Sequence, residues 1–345
     1  MAIKLKDIAK ETGVSISTVS RILSKDTSRK SNSKTVLRVM EAARKMGYPP
    51  RSNLDSLNLQ VKDKAVYSIG CILTSDHETY VSPFFSSLLA GIQNELSKAG
   101  SSINYHFFVV NIKDPGFSTF LESRKLDCAI MLGRTSLENI ALLREKIPNL
   151  VYAGVNRIGE DIDEVICDAF LGASSAVRHL ISLGHRKIGF IGPTQQKHQV
   201  FNEHRYRGYL DVLRSEGIEI DPNFVVDTIL TAADGYESML SLINTGKLPT
   251  ALFCGNDTVA LGVMRALREN DISIPQDISI VGFDNIDTIA YVKPGLTTIA
   301  IPTKELGRLA VKVLLDKLET KRDYTVHVNI PFKLLERESC RMLEA

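Results

Sequence analysis

The residue types that carry enzymatic chemistry occur in this sequence without the spacing that such chemistry needs. There is no GxxxxGKS or GxxxxGKT phosphate loop, no GxGxxG after a strand, no HExxH and no GxSxG. His77 with Glu78, and His204 beside Arg205, are pairs without a third partner. The five cysteines are odd in number and form no CxxC pair, which indicates reduced core residues. The sequence therefore predicts neither an enzyme nor a bound cofactor or metal.

Length and composition indicate a folded, multidomain protein. The chain has 345 residues, of which 44% are hydrophobic and 24% charged, as in ordinary globular proteins. No apolar run reaches the roughly 20 residues that span a bilayer. The start MAIKLKDIAKETG has no apolar signal-peptide region, so we expect a cytoplasmic protein with no membrane partner.

The net charge of +2 conceals a strong asymmetry along the chain. Residues 1–60 carry twelve Lys and Arg against five Asp and Glu, a net charge of +7, and the remainder is net negative. The basic end is therefore the predicted nucleic-acid contact.

The same basic end has the pattern of a helix–turn–helix unit. Apolar residues at helical spacing from Leu5 stop at Gly13, and Ser15 is placed to cap a second helix at once. A third helix is expected from Asn32 to Gly47. A turn this short makes the helices cross steeply, which leaves the second helix free to enter a DNA groove.

The string LKDIAKETGVSISTVSRILS closely resembles the DNA-binding headpiece of the lac repressor/galactose repressor family of bacterial transcription regulators. The resemblance implies a headpiece over residues 1–49 that binds double-stranded operator DNA. Hydrogen-bonding and apolar side chains suit base edges, whereas hydroxyls and Lys suit phosphates. The resemblance implies base contacts at Ile16, Ser17 and Arg21, and phosphate contacts at Ser15, Thr18, Ser20, Ser24 and Lys30. The alternative is that the three helices form a structural unit or bind protein.

Residues 50–64 form the predicted linker between headpiece and body. In the family this stretch is a hinge helix that forms on DNA, and Leu57 lies where a leucine enters the minor groove. Two residues depart from the family pattern, because Leu54 replaces a small residue and Asp55 adds a negative charge near phosphates.

From residue 65 the pattern changes to alternating strands and helices. Eight apolar, strand-like segments are separated by amphipathic stretches, which predicts an α/β body of doubly wound parallel sheets in two lobes. We assign one lobe to about 65–157 with 290–320, and the other to about 158–289 with 321–341. Ligands of such sheets bind beyond the carboxyl ends of the strands, here in a cleft between the lobes.

The body also resembles this repressor family, through AVRHLISLGHRKIGFIGP, GNDTVALGVMRALRE and ISIVGFDN, and its fold is similar to periplasmic sugar-binding proteins. The resemblance implies an effector cleft that contains Arg205, Asn256 and Asp284. Arg and Asn can donate to sugar hydroxyls, and Asp can accept from two of them. Further predicted contacts are the aromatic residues Phe84, Phe85 and Phe283, and Asn156.

The family resemblance predicts a homodimeric repressor of a sugar-utilisation operon, released by a small saccharide such as galactose or a β-galactoside. One headpiece reads only half of a two-fold operator, which favours a dimer. The helices in SPFFSSLLAGIQNELSKAG and KELGRLAVKVLLDKLE could form the dimer surface or face a sheet. The alternatives are a catabolite-type global regulator with a phosphorylated carrier protein as co-repressor, an enzyme acting on sugars, and the solute-binding protein of a transporter.

Overall fold

The computed structural model describes residues 5–23, 33–46, 66–74, 82–100, 103–159, 161–194 and 203–343. The chain divides into two compact units, Met1–Ala65 and Val66–Ala345. Several predictions lie outside the described residues, namely those for Ser24, Lys30, Asn32, Leu57 and the hinge 50–64.

The first unit contains the three predicted helices: α1 (Leu5–Thr12), α2 (Ile16–Leu23) and α3 (Ser33–Lys45). Gly13 joins the first two with a φ of +64°, a left-handed conformation that glycine adopts without strain. The backbone N–H of Thr18 donates to Ser15 Oγ at 3.2 Å, which confirms the predicted cap. The small core contains one apolar cluster: Ile8, Ala9, Val19, Ile22, Val39 and Ala43.

The second unit alternates strands and helices, as the sequence predicts. Its helices are α4 (Pro83–Ala99), α5 (Phe117–Ser123), α6 (Leu137–Lys146), α7 (Ala169–Ser182), α8 (His204–Ser215), α9 (Ala232–Asn244), α10 (Asp257–Glu269) and α11 (Thr303–Thr320). Its strands are β1 (Val66–Leu73), β2 (Asn104–Asn111), β3 (Cys128–Leu132), β4 (Asn149–Gly154), β5 (Asp163–Ile166), β6 (Ile188–Gly192), β7 (Val225–Asp227), β8 (Ala251–Cys254), β9 (Ser279–Asp284), β10 (Thr297–Ala300), β11 (His327–Asn329) and β12 (Lys333–Leu335).

The strands form two six-stranded sheets, one in each lobe. The first sheet has the order β11–β5–β4–β3–β1–β2, and all its described pairs are parallel. The second has the order β12–β10–β9–β8–β6–β7, in which only β12 is antiparallel to its neighbour. This architecture confirms the predicted α/β body with two parallel-sheet lobes.

The lobe boundaries differ from the predicted ones at three places. Strand β5 lies in the first sheet, although the prediction assigned residues from 158 onward to the second lobe. Strand β10 lies in the second sheet, although the prediction assigned 290–320 to the first lobe. Strands β11 and β12 belong to different sheets. An apolar run indicates that a strand is buried, but only its pairing partner decides which sheet it joins.

The two helices considered for a dimer surface, α4 and α11, pack closely against each other in the first lobe. A Cβ atom on Gly91 would overlap the carbonyl oxygen of Lys304, and one on Gly307 would overlap that of Leu88. Glycine at both positions therefore permits the close approach of the helices. None of the helices in the described part of the chain is long and apolar enough to cross a membrane.

Candidate functional site

The headpiece presents one face of α2 to solvent. Ile16 is 52% exposed, and Ser15, Ser17 and Ser20 are exposed as well. Ser15 Oγ lies 2.9 Å from Ser17 Oγ and 2.8 Å from Thr18 Oγ1, so these hydroxyls form one polar patch. The side chain of Arg21, which belongs to the same helix, lies outside the described part of the structure. The predicted contacts that are described thus share an open surface, as a helix that enters a DNA groove requires.

A cavity of about 340 Å³ lies between the lobes of the body. Phe84 and Ser87, at the start of α4, line it from the first lobe, and Asp284 lines it from the second. The segment that crosses from β10 in the second lobe to α11 in the first contributes Ile301 and Thr303. The structure therefore brings two predicted contacts, Phe84 and Asp284, to one cavity. Phe85 packs edge-on against Phe84, with ring centroids 5.2 Å apart, and is half-buried against the core.

Asp284 ends strand β9 in an unusual turn. Its φ is 108° and that of Asn285 is 57°, conformations that non-glycine residues adopt only where neighbouring contacts hold them. Asp257 binds the residue that follows this turn, because the Ile286 N–H donates to its Oδ2 at 2.9 Å. Thr298 Oγ1 donates to the other oxygen of Asp257, Oδ1, at 2.6 Å. From the opposite side, Arg337 Nη2 donates to Asn285 Oδ1 at 2.8 Å.

Burial controls the protonation of both aspartates at this turn. It raises the pKa of Asp257 to about 7, although the hydrogen bonds from Thr298 and Ile286 act in the opposite direction. It also raises the pKa of Asp284 well above its ordinary range, and the positive charge of Arg205 opposes this effect. A hydrogen-bonding ligand at Asp284 would therefore meet a carboxyl group whose ionised form is disfavoured by its surroundings.

Arg205 lies in the first turn of α8 and is almost completely buried. Its Nη1 donates to the carbonyl oxygen of Gly255 at 2.7 Å, next to Asn256. Its Nε and Nη2 donate to the two carboxylate oxygens of Glu203 at 2.8 and 3.2 Å. Glu203 also accepts from the Arg205 backbone N–H and so caps the helix. The guanidinium is thus held in place by a carboxylate and a carbonyl before any ligand binds.

The two predicted asparagines are both committed to helix starts. Asn256 Oδ1 accepts from the Val259 N–H at 2.8 Å and caps α10. Asn156, which follows β4 in the first lobe, accepts at its Oδ1 from the His204 N–H of the second lobe at 3.3 Å. Each amide nitrogen is the group that can donate to a ligand, because each oxygen already has a partner.

Phe283 does not occupy the predicted position beside a ligand. Its side chain is completely buried in the core, next to Phe253, and the Arg205 guanidinium lies 5.6 Å from its ring centroid. The reason is the alternation of a β-strand, which directs the side chains of Phe283 and Asp284 to opposite faces of the sheet. The Phe283 ring packs against the guanidinium of Arg205 from the side of the core.

Sequence reasoning missed Glu203 and Arg134, two charged residues of the same region. Glu203 is fully buried, and its Oε2 lies 2.5 Å from Arg134 Nη1. Arg134 follows β3 in the first lobe and is distant from Glu203 in sequence, so no local pattern relates them. The position of Glu203, directly before a helix that it caps, was the one local feature that could have drawn attention to this residue. Among the described residues, no group of His, Cys, Asp and Glu is arranged to hold a metal ion.

Comparison with known proteins agrees with these features. The family profile "Bacterial regulatory proteins, lacI family" matches residues 4–51, and "Periplasmic binding protein-like domain" matches residues 177–340. The chain is 31% identical over 340 residues to the HTH-type transcriptional repressor PurR of Photorhabdus laumondii, covering 97% of this chain and 96% of that protein. It is 30% identical to the repressor MelR of Bacillus subtilis, covering 98% and 97%.

Among solved structures, a LacI family transcriptional regulator from Enterococcus faecium with bound ribose is 31% identical, with a TM-score of 0.69. The match covers 80% of this chain and all of that one. Fold, headpiece and relatives together define a DNA-binding transcriptional repressor rather than an enzyme. The chain belongs to the lacI family of bacterial regulatory proteins, which confirms the resemblance seen in its sequence.

Proposed function

We propose that this protein binds operator DNA as a homodimer in the cytoplasm and represses a sugar-utilisation operon. A small saccharide bound between the lobes releases it, and galactose and β-galactosides are the first candidates. The observation that carries the saccharide proposal is the convergence of Phe84 and Asp284 on one cavity, with Arg205 and Asn256 close by. The related regulator from Enterococcus faecium, which holds ribose, supports the same ligand class.

The chemistry of the cleft suits a polyol with few charges. Asp284 accepts hydrogen bonds from two adjacent hydroxyls, the amide of Asn256 donates one, and the ring of Phe84 covers an apolar sugar face. Arg205 retains donor capacity, since a guanidinium has five N–H groups. Specificity among saccharides then depends on how many hydroxyls reach these groups at once.

The proposal for DNA rests on the exposed face of α2 and on the +7 charge of residues 1–60. Ile16, Ser17 and Arg21 are the proposed base contacts, and the neighbouring hydroxyls bind phosphates. Because one headpiece reads one half-site, two copies related by a two-fold axis bind a palindromic operator.

The hinge 50–64 remains a prediction in this scheme. It is proposed to order on operator DNA and to place Leu57 of each copy in the minor groove. A ligand that rotates the lobes would separate the two hinges, and operator and saccharide would then weaken each other's binding by the same factor.

The test of the saccharide proposal is a thermal-shift screen of the full chain with monosaccharides and disaccharides, with galactose and lactose in the panel. A bound saccharide raises Tm by mass action. By calorimetry, Asp284→Ala is expected to weaken the affinity for the active sugar at least roughly tenfold, because the sugar hydroxyls would lose a buried hydrogen-bonding partner. Asp211→Ala, an exposed aspartate on α8, is the matched control. Absence of any shift across the panel would refute a saccharide effector.

The test of the DNA proposal is selection of a binding site from random duplex DNA by the full chain. Arg21→Ala is expected to cost about 1–3 kcal/mol on the selected site and to relax its preference at one base pair per half-site. The slope of log affinity against log salt should be roughly −0.9 per phosphate contacted. An equal loss on selected and random DNA would exclude a base-reading role for Arg21.

A further inference from the structure

One buried carboxylate connects the two lobes at the edge of the cleft. Glu203, at the start of α8 in the second lobe, lies between the guanidinium groups of Arg134 and Arg205. Arg134 comes from the first lobe, where it follows strand β3. The separation between Arg134 Nη1 and Glu203 Oε2 is 2.5 Å, and that between Arg205 Nε and Glu203 Oε1 is 2.8 Å. The Arg134–Glu203 pair therefore exists only while the lobes hold this relative position.

A second contact across the cleft meets the same helix start. Asn156 of the first lobe accepts at its Oδ1 from the backbone N–H of His204, the residue between Glu203 and Arg205. The first turn of α8 is thus held from the first lobe at two adjacent points. The acceptors at both points, Glu203 and Asn156, are buried, so water competes with them poorly.

The charge state of Glu203 favours this arrangement. Burial by itself would raise its pKa, but the charges of Arg134 and Arg205 and the hydrogen bonds from Arg205 lower the pKa to about 2. The carboxylate is therefore ionised whenever the protein is folded near neutral pH. Separating the lobes would remove one of its two cationic partners.

We propose that Arg134 is a positioning residue of the effector cleft. Through Glu203 it fixes the guanidinium of Arg205, and it holds the two lobes in the arrangement seen here. A ligand that contacts Arg205 then affects Glu203, the carboxylate that joins the lobes through Arg134. This last step rests on the proposed saccharide site, whereas the contact between the lobes does not.

The experiment is a distance measurement between spin labels on the two lobes of the full chain, without ligand or DNA. Exposed Glu122, in the first lobe, and exposed Glu219, in the second, are replaced by cysteine and labelled in a Cys340→Ser background. The four other cysteines are buried. Arg134→Met is expected to shift or broaden the distance distribution. Arg124→Met, which removes an exposed arginine of the same lobe, is expected to leave it unchanged.

Arg134→Lys keeps the positive charge and is expected to restore a distribution closer to that of the parent protein. Arg134→Met leaves Glu203 paired with Arg205, so the variant retains a partner for the buried carboxylate. If the distributions of Arg134→Met and Arg124→Met coincide, Arg134 does not hold the lobes and the proposal is wrong. Failure of Arg134→Lys to differ from Arg134→Met would equally exclude the charge as the cause.

A calorimetric titration with D-galactose separates this proposal from the proposed function. If galactose binds, Arg134→Met should weaken its apparent affinity by roughly the factor by which it depopulates the lobe arrangement seen here, about threefold or more. An unchanged affinity in Arg134→Met would show that Arg134 does not position the cleft. If galactose fails to bind the parent protein, galactose is not the effector, and the distance measurement still decides whether Arg134 joins the lobes.

Discussion

The two candidate binding surfaces of this protein are built in opposite ways. On the headpiece the described contact residues lie on an open helix face, and Ile16 is 52% exposed. In the body, Arg205 and Asp284 are only 3% and 7% exposed, and the guanidinium of Arg205 is held by Glu203 and by the carbonyl oxygen of Gly255. DNA supplies its own regular shape and charge, so side chains on an open helix can adapt to it. A small ligand supplies neither, and its site must be organised beforehand.

This difference predicts where substitutions cost stability. Glu203→Ala would leave the buried guanidinium of Arg205 and the half-buried guanidinium of Arg134 without their shared carboxylate. Breaking such a buried ion pair typically costs about 3–5 kcal/mol, so we expect a large decrease in the free energy of unfolding. Denaturant unfolding measures this decrease, and Glu122→Ala, which removes an exposed glutamate, is the control. A loss no greater than in the control would mean that the cleft is not organised by this carboxylate.

The stability of the body should also depend on pH through a buried carboxyl group. The pKa of Asp257 rises from an ordinary 3.8 to about 7 in the folded protein, so the folded state holds a proton that the unfolded state has lost. The resulting stability is complete below about pH 4 and is lost as the pH rises through 7. Between pH 5 and 8 the expected loss is roughly 2 kcal/mol.

Unfolding measured across this pH range tests the effect of Asp257. Asp257→Asn cannot ionise and should remove the part of the slope that Asp257 contributes, while Asp284, whose pKa is also raised, keeps its own part. Asp287→Asn, which replaces an exposed aspartate, should retain the slope of the parent protein. Equal slopes in the parent protein and in Asp257→Asn would assign the pH dependence to another group.

The sequence predicts the headpiece better than the cleft for a physical reason. Gly13, Ser15 and the apolar stripe of α2 act within a few residues of one another, so their spacing reveals the helices, the turn and the cap. The Arg134–Glu203 pair depends instead on how two lobes meet, and residues 134 and 203 carry no common local pattern.

The same limit applies to the assignment of strands to sheets, whereas the error at Phe283 was a local one. All eight predicted segments contain strands, but β5 and β10 were not among those segments, and the sheet to which each belongs follows from its pairing. Phe283 was predicted beside the ligand because it neighbours Asp284. A strict application of strand alternation would have placed it in the core.

The smallest expected effect on stability is on the exposed face of the headpiece. Ile16→Ala removes a side chain without core contacts, so the free energy of unfolding should change by less than about 0.5 kcal/mol. Its affinity for the selected operator should nevertheless fall by roughly 1–2 kcal/mol, because the apolar surface is buried only on DNA.

Val19→Ala, on the same helix, is the matched control. Val19 is fully buried, so its truncation should cost about 1.5 kcal/mol of stability. Denaturant unfolding and operator titration of both variants test the contrast. If Ile16→Ala loses as much stability as Val19→Ala, or binds operator as well as the parent protein does, the exposed face of α2 is not the DNA surface.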